Sequence, residues 1–179
     1  MIDSDSIQVR LERLVYGGDA MGRLPDGRVV FVPFGLPNEL VTVKPTQIKN
    51  RYIKGQLLTI LEPSSDRIAP RCRHFSVCGG CHYQHLAYQK QFDLKRDLLR
   101  DQLVRIGGLV NPLVLAGEIP ENSWNYRNTI QFHTGPTNKP GYRTAYGNAV
   151  VEIEECHLPA AVISEIWPTL DLGPVPGLE

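Results

Sequence analysis

Three of the four cysteines, Cys72, Cys78 and Cys81, stand in the run CRHFSVCGGC, and the fourth, Cys156, follows far downstream. This placement constrains the fold more than any other feature. A thiol cluster whose last member is remote is completed only when the chain folds back on itself. The spacing is C-x5-C-x2-C, a long gap, then one cysteine beside Pro159. Iron–sulfur clusters are commonly held by closely spaced cysteines and a distant one. Structural zinc more often uses two separated C-x2-C pairs or mixed Cys/His pairs. The spacing favours a cluster over zinc and makes Cys72, Cys78, Cys81 and Cys156 the candidate ligands. Gly79 and Gly80 are expected to let the loop curl so that neighbouring sulfurs approach one centre. A disulfide scaffold is disfavoured, because no apolar leader-like run opens the chain and cysteine is sparse. His74, His82 and His157 flank the cysteines and read as neighbours, since four thiols already complete a site.

A chain of 179 residues has room for a small barrel and a second domain. With 42% hydrophobic and 21% charged residues it reads as soluble and globular, and no stretch approaches a membrane span. The net charge of zero conceals an uneven distribution. From Lys44 to Arg105 there are 12 basic and 5 acidic residues; from Asn111 to Glu179 there are 3 and 8. A basic middle and an acidic tail are compatible with a polyanion contacted on one face.

The first sixty residues read as short strands divided by turns. Ile7, Val9 and Leu11 alternate with polar residues, the period of a half-buried strand. Gly17, Gly18 and Gly22 are expected to break that pattern, and Pro25-Asp26-Gly27 to join two strands. Val29–Val32, 39–44 and 52–61 are further strand candidates. Several short strands at regular spacing predict a small β-barrel. Lys44, Lys49, Arg51 and Lys54 follow one another without an intervening acid, and Tyr52 lies among them. Cations interleaved with an aromatic suit a surface that grips nucleic-acid backbone and stacks a base.

After a polar link, 63–71, and the cysteine loop, residues 86–106 predict a helix. Tyr88, Phe92, Leu99, Leu103 and Ile106 form one stripe, while Leu94 and Leu98 form a second apolar strip. Asp93/Arg96, Asp97/Arg100 and Asp101/Arg105 are helical charge pairs, and Gly107-Gly108 supplies the stop. Residues 128–133, 142–146 and 149–153 read as strands, 135–141 as a turn, and 159–170 as a short helix. The run 173–179 is a linker by composition. Trp124 and Tyr126 read as core, His85 and His133 as structural.

Taken together, CRHFSVCGGCHYQHLAYQKQ, WNYRNTIQFH and VEIEECHLP resemble the iron–sulfur RNA (uracil-5-)-methyltransferases with an N-terminal TRAM barrel, typified by enzymes of 23S ribosomal RNA. The resemblance implies a mixed fold: an all-β, OB-like TRAM barrel at 1–62, a linker at 63–71, and an α+β central domain at 72–172 with an antiparallel sheet, a cluster-binding loop and the helix 86–106. The segment 173–179 would lead to a catalytic domain that the sequence does not contain. Cys72, Cys78, Cys81 and Cys156 would ligate a [4Fe-4S] cluster, and Lys44, Lys49, Arg51, Tyr52, Lys54 and Arg127 would contact RNA.

In that family a doubly wound domain binds S-adenosylmethionine. One cysteine adds to C6 of a flipped-out uracil, C5 takes the methyl group and a carboxylate removes the C5 proton. Here no glycine-rich cofactor loop is found and all four thiols are taken by the metal. The resemblance therefore implies the RNA-binding, cluster-carrying half of a SAM-dependent methyltransferase. That half would be inactive alone, monomeric, cytoplasmic and without a membrane partner, with a SAM-binding domain expected in cis. Ribosomal RNA is the first choice of partner and tRNA the second. The second strip of the helix would pack on the catalytic domain. A stand-alone RNA-binding module with a structural four-cysteine site is the alternative.

Overall fold

The computed structural model describes residues 6–170, so the 173–179 linker lies outside the described residues. The chain divides into two compact units, one formed by residues up to Ala69 with His85–Ile119, the other by Pro70–Gln84 with residues from Pro120 onward.

The first unit contains a closed barrel of β1 (Ile7–Leu14), β2 (Ala20–Arg23), β3 (Val29–Val32), β4 (Leu40–Ile48) and β5 (Tyr52–Glu62), in the order β1-β2-β3-β5-β4. Alternation decides which side chains fill it. Ile7, Val9 and Leu11 of β1, Val30 and Val32 of β3, Val41 and Val43 of β4 and Ile53 of β5 are all buried, as the two-residue period of a strand requires. Every pairing is antiparallel except β3 with β5, which run parallel and close the barrel. Closure leaves no exposed edge. Gly22 does not break a strand, as its neighbours suggested; it lies inside β2. A Cβ there would sit 2.2 Å from the Arg10 carbonyl oxygen and 2.8 Å from Val9 Cγ2. The two strands approach too closely for a side chain.

The link after β5 is fastened by a buried carboxylate. Glu39 is fully buried and takes both arms of Arg67, Nε at 2.5 Å and Nη2 at 2.8 Å, and the N–H groups of Leu36 and Ser64 at 2.9 and 3.2 Å. Burial works against the charged form, but Arg67 and the two N–H groups outweigh it and hold the Glu39 pKa below the usual carboxylate value. Ile68 N–H donates to the His85 carbonyl and Ala87 N–H to that of Asp66. His85 is 1% exposed and rests edge-on against Phe34. Burial, aided by Arg67, lowers its pKa to about 4, so it stays neutral near pH 7.

Helix α1 (Tyr88–Arg105) belongs to this unit, not to the cysteine-bearing one. Both of its apolar strips are partly covered: Tyr88, Phe92 and Leu103 of the first are half-buried, as are Leu94 and Leu98 of the second. Leu94 and Leu98 line a cleft of ≈ 220 Å³ with Glu12, Leu14 and Pro37, and Arg13 donates to Asp101 across it at 3.1 Å. The strip assigned to a further domain thus faces the barrel, whereas Leu99 and Ile106 of the other are exposed. Gly108, at φ +66°, ends the helix in the left-handed conformation.

The second unit holds a three-stranded antiparallel sheet, β6 (His133–Thr134), β7 (Pro140–Arg143) and β8 (Val150–Glu152), then α2 (Ala161–Ile166) and a 3-10 turn at Trp167–Thr169. The strand expected over 128–133 begins only at His133. The chain before it is committed elsewhere: Asn125 and Arg127 N–H groups donate to His157 and Leu158, and Ala160 N–H donates to Arg127. The single parallel bridge of Arg127 with Pro159 is not extended. Pro140 and Gly141, expected in the turn, open β7.

Candidate functional site

Cys72, Cys78, Cys81 and Cys156 line one pocket, together with His74, Gly80, Gln84, Tyr142 and Glu155. All four are free thiols. The loop reaches this arrangement by pinning itself to the end of β7. Cys78 bridges to Thr144, Gly79 N–H donates to the Arg143 carbonyl at 2.9 Å, and Ala145 N–H donates to Val77. Neither Gly79 nor Gly80 supplies a left-handed turn; Ser76 does, at φ +74°. Gly79 is needed for close approach, since a Cβ would lie 3.0 Å from the Arg143 oxygen.

The remote ligand segment is tied to the loop by polar bonds. Arg73 pairs with Glu154 and Glu155 at 2.8 and 3.5 Å, Arg73 N–H donates to Glu155, and Glu154 N–H donates to His74 Nε2 at 3.2 Å. Trp124 joins the two flanks: the Arg71 guanidinium lies 5.2 Å from its ring and His157 packs edge-on at 5.9 Å. His74 and His157 are thus engaged beside the thiols, and Trp124 is half-buried in this stack. Tyr126, read as core, is 62% exposed.

Two sulfurs in the pocket have a hydrogen-bond donor. Gly80 N–H donates to Cys78 Sγ at 3.4 Å and Gln84 Nε2 to Cys81 Sγ at 3.1 Å. Tyr142 lines the pocket beside Cys156, and burial together with that sulfur raises the pKa of its hydroxyl. A neutral thiol is a weak acceptor, whereas metal-bound thiolates are regularly supported by such donors. Burial pushes the thiols of Cys72, Cys78 and Cys81 up, and the neighbouring sulfurs push further. Ligation would therefore release protons. Among the described residues no three His, Cys, Asp or Glu side chains converge closely enough to hold a single metal ion. The donor set is nonetheless chemically that of a thiolate centre.

Arg127 lies against this pocket. Its main chain is held by Leu158 and Ala160, and its charge acts on Cys78 and Tyr142. Among the described residues it makes no ion pair.

The remaining candidates lie on the β4–β5 hairpin. Lys44 faces Gln56 and Gln47 faces Lys54 across the ladder, which puts Lys44, Tyr52 and Lys54 on the outward face while Ile53 and Gly55 point inward. Lys49 and Arg51 form the tip. All four cations are exposed, and none is in an ion pair among the described residues. Phe31, on β3, joins them: its ring meets Tyr52 edge-on at 6.0 Å, and its Cα is paired with that of Lys54. Sequence reading missed Phe31 because only the parallel β3–β5 pairing brings it here. The result is an aromatic pair bordered by unneutralised cations.

A TRAM domain is recognised over residues 5–58. An uncharacterized RNA methyltransferase of Aquifex aeolicus is 37% identical over 163 residues, covering 90% of this chain and 38% of the relative. A 23S rRNA (uracil(1939)-C(5))-methyltransferase of Methylococcus capsulatus is 35% identical, covering 87% of this chain and 36% of the relative. The chain thus spans a little over a third of the length of these relatives. The crystal structure of the Pyrococcus abyssi tRNA (uracil-54, C5)-methyltransferase with S-adenosyl-L-homocysteine superposes with a TM-score of 0.59 at 24% identity, over 88% of this chain and 34% of that one, a likeness of fold. No helix among the described residues is long and apolar enough to cross a membrane. The chain carries a TRAM domain, and its similarity to these RNA methyltransferases continues through the cysteine-bearing unit.

Proposed function

We propose that this chain is the RNA-binding, cluster-carrying part of a SAM-dependent RNA (uracil-C5) methyltransferase of the cytoplasm, with 23S ribosomal RNA as substrate and tRNA as the second candidate. The single observation behind the RNA assignment is the outward face of β3, β5 and β4. It presents Lys44, Lys49, Arg51 and Lys54 without acidic partners around the Phe31–Tyr52 pair, on a barrel that relatives named RNA methyltransferases share. Cations there take phosphates and the rings stack an unpaired base. Arg127 is the further RNA contact in this reading.

Cys72, Cys78, Cys81 and Cys156 are the proposed ligands of a [4Fe-4S] cluster, in which each thiolate takes its own iron. Four thiols lining one pocket, three closely spaced in sequence and one remote, support this over zinc. When bound, the cluster would cross-link the loop to the Cys156 segment. Because all four cysteines line that pocket, none is left to attack C6 of uracil, and the chain alone is expected to transfer no methyl group from S-adenosylmethionine to RNA. Methyl incorporation by the isolated chain overturns that part of the reading.

The RNA surface is tested by salt titration. Replacing Lys49, Arg51 and Lys54 with Ala together is expected to lower the slope of log K against log salt by about 2, at about 0.7 per lost single-strand phosphate contact. An unchanged slope overturns the assignment of this face.

A further inference from the structure

In the cysteine pocket Cys78 receives a hydrogen bond from a main-chain N–H and Cys81 from the side chain of Gln84, while the side chain of Tyr142 lines the pocket beside Cys156. Gln84 does more than donate. Its amide nitrogen lies 3.1 Å from Cys81 Sγ, and its carbonyl oxygen accepts the Cys72 N–H at 3.1 Å. One planar amide thereby spans the loop from its first cysteine to its third. Tyr142 comes to the same pocket from β7, beside Cys156. Its ring packs on Phe132 at 5.3 Å, which in turn packs on the buried Trp167 at 5.4 Å. The hydroxyl is therefore aimed by a braced aromatic row.

We propose that Gln84 and Tyr142 are positioning residues for the bound cluster, holding Cys81 and Cys156 in place and stabilising its reduced, more negative state through N–H and O–H bonds to sulfur. The inference rests on reading the pocket as a cluster site. Donors to thiolate sulfur offset negative charge there, so they favour reduction and raise the potential. The two residues differ in what else they do. Gln84 also fixes the main chain at Cys72, so its loss loosens the loop as well. Tyr142 contributes its hydroxyl alone once the ring is kept.

The test uses the full chain loaded anaerobically with iron and sulfide, read by iron and sulfide content, by reduction potential and by the rate of bleaching with a chelator. Tyr142→Phe keeps the ring on Phe132 and is expected to move the potential to more negative values with unchanged iron and sulfide. Gln84→Glu keeps an acceptor for Cys72 N–H but loses the amide donor, and is expected to move the potential the same way. Gln84→Met loses both bonds and is expected to weaken metal retention about 10- to 100-fold, seen as faster bleaching. Wild-type potentials in Tyr142→Phe and Gln84→Glu, with wild-type bleaching in Gln84→Met, overturn the proposal. Parent protein that takes up zinc instead, or no metal at all, overturns the cluster reading itself, before any variant is compared.

Discussion

Inside the barrel, Val30, Val32, Leu36, Val41 and Val43 are fully buried and the strands close on themselves. Among the described residues of the cysteine-bearing unit the buried apolar side chains include only Ile153, Leu158, Trp167 and a few prolines such as Pro159, and its sheet has strands of two to four residues. The first region is held by area removed from water; the second by polar ties such as Arg73 with Glu154 and Glu155, to which the proposed cluster would add a cross-link. A unit with so little core depends on a cross-link, as small metal-binding domains do. The comparison predicts that one chain carries two regions of separate stability.

The largest effect expected is from removing the link. Stripping the proposed cluster, or Cys156→Ser, should abolish slow hydrogen exchange in 70–84 and 120–170 while β1–β5 keep theirs. Simultaneous loss of protection in both would break the comparison. Next comes the one polar tie the barrel depends on. Arg67→Met leaves Glu39 buried and unpaired, which costs about 3–5 kcal/mol; denaturant unfolding should show it, with partial recovery when Glu39→Gln is added. A loss below 1 kcal/mol would mean that the buried carboxylate is hydrated or protonated.

Acid sharpens the contrast further. The unfolded chain protonates His85 near the ordinary histidine value of 6.5, but the folded barrel resists until about 4. The unfolded state therefore binds more protons between these values, and stability falls as pH drops through them, by about 1.4 kcal/mol per pH unit for one proton. Below about 4.5 the Glu39 contribution, present only while its carboxylate is ionised, is lost in turn. His85→Leu should flatten the upper step in pH-dependent unfolding; an unchanged profile would remove His85 as its cause. The smallest effect is on the outside of the barrel, where Phe31→Ala or Tyr52→Ala should weaken RNA binding by about 1–3 kcal/mol. Titrations should show this at constant salt slope, unlike the lysine changes. An altered slope would mean that the rings position the cations instead of stacking on a base.

The same contrast explains what the sequence disclosed. Alternation at Ile7, Val9 and Leu11 announces β1 because an inward and an outward residue differ in chemistry, and the four-cysteine spacing announces a pocket because thiols rarely crowd by chance. The errors have one source, contacts made by distant partners. Gly22 looks like a breaker until the Arg10 carbonyl is seen 2.2 Å from where its Cβ would be. Residues 128–132 alternate, yet their neighbours 125–127 are engaged by His157 and Leu158. Leu94 and Leu98 could be recognised as an apolar strip, but nothing local says that it meets Leu14 and Pro37. Phe31 and the Glu39–Arg67 pair likewise acquire their roles from pairings that the local pattern does not encode.

The parallel joint between β3 and β5 has one more consequence. At the tip of the hairpin, Val29 N–H donates to the Arg51 carbonyl at 3.2 Å and Lys49 N–H to Tyr52 at 2.9 Å, so the basic turn is ordered before it meets a partner. Fixing a main-chain residue costs roughly 1–2 kcal/mol in entropy; here folding has already met that cost, leaving little for association. Loosening the joint at Val29 would leave the charges and the encounter rate in place and shorten the lifetime of the complex, because ordering lost from the free surface reappears as faster dissociation.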